Sequence, residues 1–162
     1  PDAHCLPMGL MQFHMHPQPR KVLQTPDVIA ILYEGNAGVR QIFTDGRAIP
    51  TNLPQPWWYG YSVGRWEGDT LVVETAGFRD GGWLDIDGSP LTDAARMTER
   101  WRRLNYGEVQ IDVTIDDPKA YARPFSVRVH HRLMRDGLLD NDLIEFVCQE
   151  NNKAPQLMVG KE

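Results

Sequence analysis

Hydrophobic and polar positions alternate with a period of two along several stretches of this chain. The clearest is Val109, Ile111, Val113 and Ile115 interleaved with Gln110, Asp112, Thr114 and Asp116, the mark of a strand with one buried face. Phe125 to Leu133 repeats the pattern, placing Phe125, Val127, Val129, His131 and Leu133 on one side. Val28 to Glu34 is a continuous apolar run of strand length, and Gly35-Asn36-Ala37-Gly38 is turn material before a partner strand at Val39 to Thr44. Tyr61 to Trp66 and Thr70 to Thr75 are pinched together at Glu67-Gly68-Asp69, which predicts a tight hairpin. A last strand is expected at Leu143 to Cys148.

Elsewhere the pattern weakens. Residues 1–20 are rich in proline, methionine and histidine and read as an irregular arm that turns into a strand at Lys21 to Gln24. Residues 78–95 are the least strand-like, and Ser89-Pro90 is a plausible start for one short helix reaching about Met97. About seven or eight antiparallel strands with at most one helix predict a mainly β chain, a single β-barrel of lipocalin or calycin type over residues 1–162, with a β-sandwich as the alternative.

Register decides what the barrel holds. With Asn105-Tyr106-Gly107 as a three-residue turn, Glu99 pairs with Val113, Trp101 with Ile111 and Arg103 with Val109, and Glu99 points to the apolar side. A two-residue Tyr106-Gly107 turn would instead send Arg100 and Arg102 there, because a one-residue slip exchanges the faces.

Composition narrows the function classes. At 162 residues and a formal charge of -5, with both signs interspersed, the chain lacks the basic footprint of a nucleic-acid binder. No apolar run reaches the roughly 18 residues of a membrane span. Cys5 and Cys148 near the two ends suggest a disulfide and an oxidising compartment; two unrelated buried thiols are the alternative. The chain begins at Pro1, consistent with a trimmed N-terminus.

The run GYSVGRWEGDTLVVETAGF at 60–78, with WLD at 83–85, TERWRR at 98–103, DDPKAYARPF at 116–125 and VCQEN at 147–151, resembles a family of secreted bacterial proteins abundant in acidobacteria and sphingomonads. The family has no established activity. The resemblance implies periplasmic or secreted localisation and an additional N-terminal segment with a Gly-x-Trp-like strand reminiscent of lipocalins. This chain departs from the family at Tyr61, where histidine is frequent, and at Pro90-Leu91-Thr92, where Pro-His-Ser is frequent.

The candidate chemistry is that of a small-molecule site. Acid-base catalysis needs a carboxylate in apolar or charged surroundings, and Glu99 beside Trp101 is the first candidate, followed by Asp85 after Trp83. Arg65 and Arg100 would stabilise developing negative charge, and Trp58, Tyr61, Trp66, Trp83, Trp101 and His131 would wall an aromatic or sugar-like ligand. For Glu99 the alternative is an ion pair with an arginine across the sheet, and for His131 a satisfied core position. His14 and His16 form a His-x-His pair that could hold a metal if both lay on one strand face; in an irregular arm they read as solvent-exposed, and no metal is assigned. Phosphate loops, dinucleotide fingerprints and a nucleophile elbow are all missing, so the expected chemistry uses no cofactor. Two functions follow: a cofactor-free lyase, isomerase or hydrolase, or a non-catalytic binding barrel that serves a protein partner or a homo-oligomer.

Overall fold

The computed structural model describes residues 6–52, 55–85, 87–134 and 142–144. The elements in chain order are α1 (Leu10–Met15), β1 (Arg20–Gln24), β2 (Val28–Tyr33), β3 (Val39–Phe43), β4 (Tyr61–Glu67), β5 (Thr70–Ala76), β6 (Gly82–Trp83), β7 (Pro90–Leu91), β8 (Arg96–Asn105), β9 (Glu108–Asp116) and β10 (Phe125–Arg132). Eight strands form one curled sheet in the order β1-β2-β3-β4-β5-β8-β9-β10, a half-barrel whose two edges approach where Arg20 of β1 meets His131 of β10 at 3.1 Å. The short strands β6 and β7 form a separate two-stranded ladder. No helix is long and apolar enough to cross a membrane among the described residues.

The hairpins follow from turn chemistry. Glu67 pairs with Thr70 around Gly68-Asp69, and Gly68 takes the positive φ of 62° that a two-residue turn needs there. Between β8 and β9 both expected turn lengths leave a trace. Asn105 pairs with Glu108 around Tyr106-Gly107, and a bulge between Arg103 and Asn105 then restores the register, so that Glu99 faces Val113 and Trp101 faces Ile111. The concave face therefore carries Met97, Glu99 and Trp101 from β8 and Ile111, Val113 and Ile115 from β9, while Arg100, Asp112 and Arg128 line up on the convex face.

Three expectations are corrected. The sheet is not wholly antiparallel: β3 and β4 run parallel through two pairs, Ile42 with Ser62 and Phe43 with Val63, because the chain between them returns to the same end before β4 begins. No helix starts at Ser89. The Asp85 carboxylate accepts from the Ser89 backbone N–H at 3.0 Å and from its hydroxyl, and Asp117 accepts from both the N–H and the hydroxyl of Thr92 at 2.7 Å. Those bonds satisfy the groups a helix start would have used and set Pro90–Leu91 against Gly82–Trp83 as a ladder.

The third correction is the N-terminal arm, which holds α1. Six residues without a side-chain cap cannot sustain a helix in water, so α1 exists by packing. Leu10, Met11, Phe13 and His14 are all buried against the concave face. Phe13 stacks on Tyr33 with ring centroids 3.9 Å apart and meets the edge of Tyr59 at 5.1 Å. Two glycines let this plug seat. A Cβ on Gly9 would stand 2.0 Å from the Trp83 carbonyl oxygen, and one on Gly38 would stand 2.7 Å from the Phe13 ring.

Candidate functional site

The plug brings a histidine to the middle of the sheet. His14, on the inward side of α1, places Nε2 2.6 Å from Oε1 of Glu99 on β8. Arg40 of β3 donates from Nη1 to the same Glu99 oxygen at 3.1 Å and from Nη2 to the other. The guanidinium also donates to the Ser62 hydroxyl of β4 and the Thr75 hydroxyl of β5, which lie 2.8 Å apart. His14, Arg40 and Glu99 are fully buried, their side chains at most 1% exposed.

Charge states follow from this arrangement. Burial alone would push the Glu99 carboxyl up, but the Arg40 charge and the His14 hydrogen bond outweigh it and hold the group well below the usual carboxylate range. Burial also disfavours charge on Arg40, and Glu99 reverses that, so Arg40 remains protonated. For His14 burial is the largest influence and lowers its pKa against the pull of Glu99. At neutral pH the centre is an arginine-carboxylate pair with a neutral imidazole. Since an ionised carboxylate can only accept, His14 donates through Nε2–H, and Nδ1 carries the lone pair.

That Nδ1 is buried and has no hydrogen-bond partner among the described residues. Its neighbours are aromatic. The Trp101 ring lies 5.5 Å from the His14 ring and the His131 ring 5.6 Å, with Trp101 and His131 6.1 Å apart. The Trp101 indole N–H is likewise buried and unpartnered among the described residues. His131, half-buried, is lowered to about 4, first by burial and then by the Arg20 charge.

The structure gathers three of the residues expected from the sequence, Glu99, Trp101 and His131, and adds three more, His14, Arg40 and Arg20. His14 is not solvent-exposed, because Leu10, Met11 and Phe13 bury the helix that carries it. His16 lies past the end of α1, at its extended C-cap, so the pair does not occupy alternate positions of one strand face; no three metal-ligating side chains cluster among the described residues. The other expected site residues lie elsewhere. Arg65 and Arg100 are exposed on the convex face and paired with Glu67 and Glu74. Asp85 caps its own loop. Trp58 packs on Trp83 with centroids 5.9 Å apart and lies under the Arg79 guanidinium. Tyr61 stacks on Phe43 and accepts from Arg47 at 3.2 Å, and Trp66 is about half exposed. Cys5 and Cys148, and most of the strand expected at Leu143 to Cys148, lie outside the described residues.

Comparison with family models, with curated proteins and with solved structures finds no match to this chain.

Proposed function

We propose that this half-barrel binds a small molecule at its concave face and performs acid-base chemistry on it, with His14 as the proton acceptor. The observation that carries the reading is a buried neutral imidazole, held through Nε2–H by a carboxylate and presenting an unpartnered Nδ1 among Trp101 and His131. Glu99 would fix the tautomer and stabilise the imidazolium formed when Nδ1 takes a proton, while the Arg40 charge keeps the Glu99 carboxylate too weak a base to take that proton itself. Trp101 supplies a flat wall and an N–H donor for an aromatic or sugar-like substrate. The reaction class is a proton abstraction of the lyase or isomerase kind, or activation of water for hydrolysis.

A secreted or periplasmic setting belongs to this reading. A thiol titration of the unreduced, denatured chain tests it: no free thiol supports a Cys5–Cys148 bridge, and two free thiols remove that argument.

Nitrogen-resolved NMR of the histidine rings tests the mechanism without a substrate. His14 should show Nε2 protonated and Nδ1 bare at pH 7 to 8. A protonated Nδ1 would leave no base and end the proposal. On a turned-over compound, His14→Gln keeps a donor for Glu99 and should lower the rate by about 10²- to 10⁴-fold with the fold intact. The second reading, a non-catalytic binding barrel, is favoured by the filling of the concave face with Met8, Leu10, Met11 and Phe13. It expects binding unaffected by His14→Gln and no turnover.

A further inference from the structure

His131 stands where two hydrogen bonds compete for one nitrogen. Its Nε2 lies 3.1 Å from Nη1 of Arg20, a group that only donates, and 3.0 Å from the carbonyl oxygen of His14, which only accepts. A bare Nε2 accepts from Arg20 and sets its lone pair against the carbonyl. A protonated Nε2 donates to the carbonyl and sets its hydrogen against the guanidinium. One ring nitrogen cannot satisfy both, so the proton it carries selects the neighbour that His131 holds.

The two neighbours belong to different parts of the fold. Arg20 opens β1, His14 lies in α1, and His131 is near the end of β10. The strands β1 and β10 are the two edges of the sheet and share no ladder, and among the described residues the bond from Arg20 to His131 is the one side-chain hydrogen bond between them. Of the two edges, β1 is loosely held. It pairs with β2 alone, its last four residues are exposed, and its remaining ties are Arg20 to the His16 carbonyl and an exposed Lys21–Asp142 pair of a kind worth little in water.

No counter-ion meets a proton added to His131. Around the ring stand Arg20 from β1, the His14 ring from α1 and Trp101 from β8, with uncharged Val109 opposite it on β9. Farther off lie Tyr33, the ladder partner of Arg20, the His16 at the end of α1, and Glu99, already bonded to His14 and Arg40. His130 and Arg132, its neighbours on β10, take the opposite face. Burial and the Arg20 charge accordingly hold the imidazole at about 4, below the ordinary value of about 6.5.

We propose that His131 is a proton-operated latch on the seam of the half-barrel. With Nε2 bare it binds Arg20 and holds β1 to β10. Protonated, it bonds the His14 carbonyl, keeps α1 on β10, repels Arg20 and frees β1. Acid thus opens the sheet at its edges while the plug stays seated. The latch goes beyond the acid-base reading and is independent of it, since it requires no substrate and no proton on Nδ1 of His14.

Hydrogen exchange of the full chain, followed by NMR from pH 7.5 to 4 and corrected for the intrinsic exchange rate, tests the latch. In the open form the imidazole regains its ordinary value, so the open fraction should grow about tenfold for each pH unit between about 6.5 and 4, read as lost protection in β1 with β9 unchanged. His131→Gln has an acceptor and a donor at one terminus and should flatten that profile. Arg20→Gln keeps a donor without the charge and should raise the His131 titration by about 1 pH unit or more. Protection of β1 that does not change with pH, an equal slope in His131→Gln, or a His131 titration unmoved in Arg20→Gln would each overturn the latch. So would joint loss of protection in β1 and β9, which marks unfolding of the whole sheet instead of release of one edge.

Discussion

The replacement Glu99→Gln separates charge from shape at the centre of the sheet. The amide retains an oxygen that can accept from His14, but removes the one anion that, among the described residues, is bonded to the Arg40 guanidinium, itself 1% exposed. Deleting one partner of a buried ion pair leaves the other uncompensated in low dielectric and costs about 3–5 kcal/mol. In a chain of 162 residues each kcal/mol lowers Tm by about 2–4 °C, so the variant should melt roughly 6–20 °C below the parent. Urea unfolding at pH 7.5 gives the same quantity at fixed temperature, with an unchanged m-value if the native surface is preserved. Arg40→Met should cost a similar amount by stranding the carboxylate. The double variant Arg40→Met, Glu99→Gln removes both charges, and its loss should fall short of the sum of the singles by at least about 2 kcal/mol. A Glu99→Gln variant within 1 kcal/mol of the parent, or strict additivity in the cycle, would refute the claim that Glu99 alone neutralises Arg40.

The same centre fixes a pH profile. His14 and His131 are lowered in the folded state, so the unfolded chain binds more protons between about pH 4, the folded value of His131, and about 6.5, the ordinary value. Stability should therefore fall as pH drops through that window, by up to about 1.4 kcal/mol per pH unit for each histidine. Glu99, lowered in the folded state, adds a further loss only below the ordinary glutamate value of about 4.3; urea midpoints from pH 4 to 8 measure the slope, and a flat profile contradicts the burial of both imidazoles. Gly38→Ala is allowed by its backbone, φ -66° and ψ 140°, yet its methyl meets the Phe13 ring at 2.7 Å, so about 1–3 kcal/mol should be lost through a displaced plug, seen as loss of Phe13–Tyr33 ring contacts in NMR. Arg65→Ala and Arg100→Ala, exposed on the convex face and paired there with Glu67 and Glu74, should each leave the urea midpoint within error of the parent and the His14 signals unmoved.

What could be read from the chain beforehand was what depends on neighbours in sequence. Period-two alternation located β9 and β10, but counting left the turn at 105–107 open between two and three residues, and the bulge between Arg103 and Asn105, which no pattern announces, is what puts Glu99 on the apolar side. The partners of Glu99 were not legible in the same way. Arg40 sits in VRQIF two residues before Ile42 and so shares its buried face, but nothing in that run names the partners there; the parallel step to β4 sets Arg40 beside Ser62, Thr75 and Glu99. His14 lies 85 residues from Glu99, in a segment whose helix is too short to announce itself. One signal was present: Leu10, Phe13 and His14 fall at helical spacing, three and four apart. Arg65 and Arg100 illustrate the converse, since proximity in sequence to aromatic residues says nothing about which side of the sheet a side chain takes.

The parallel junction of β3 with β4 rests on two residue pairs, whereas the ladders beside it run to five and seven. Arg40 belongs to one side of that seam; Ser62, Thr75 and Glu99 belong to the other. The guanidinium is thus a rivet between a three-stranded lobe and a five-stranded lobe. In native-state hydrogen exchange, cooperative opening should run along this line, releasing the amides of β1 to β3 together before those of β5, β8 and β9. Withdrawing the rivet would make that partial opening the dominant excursion of the native protein.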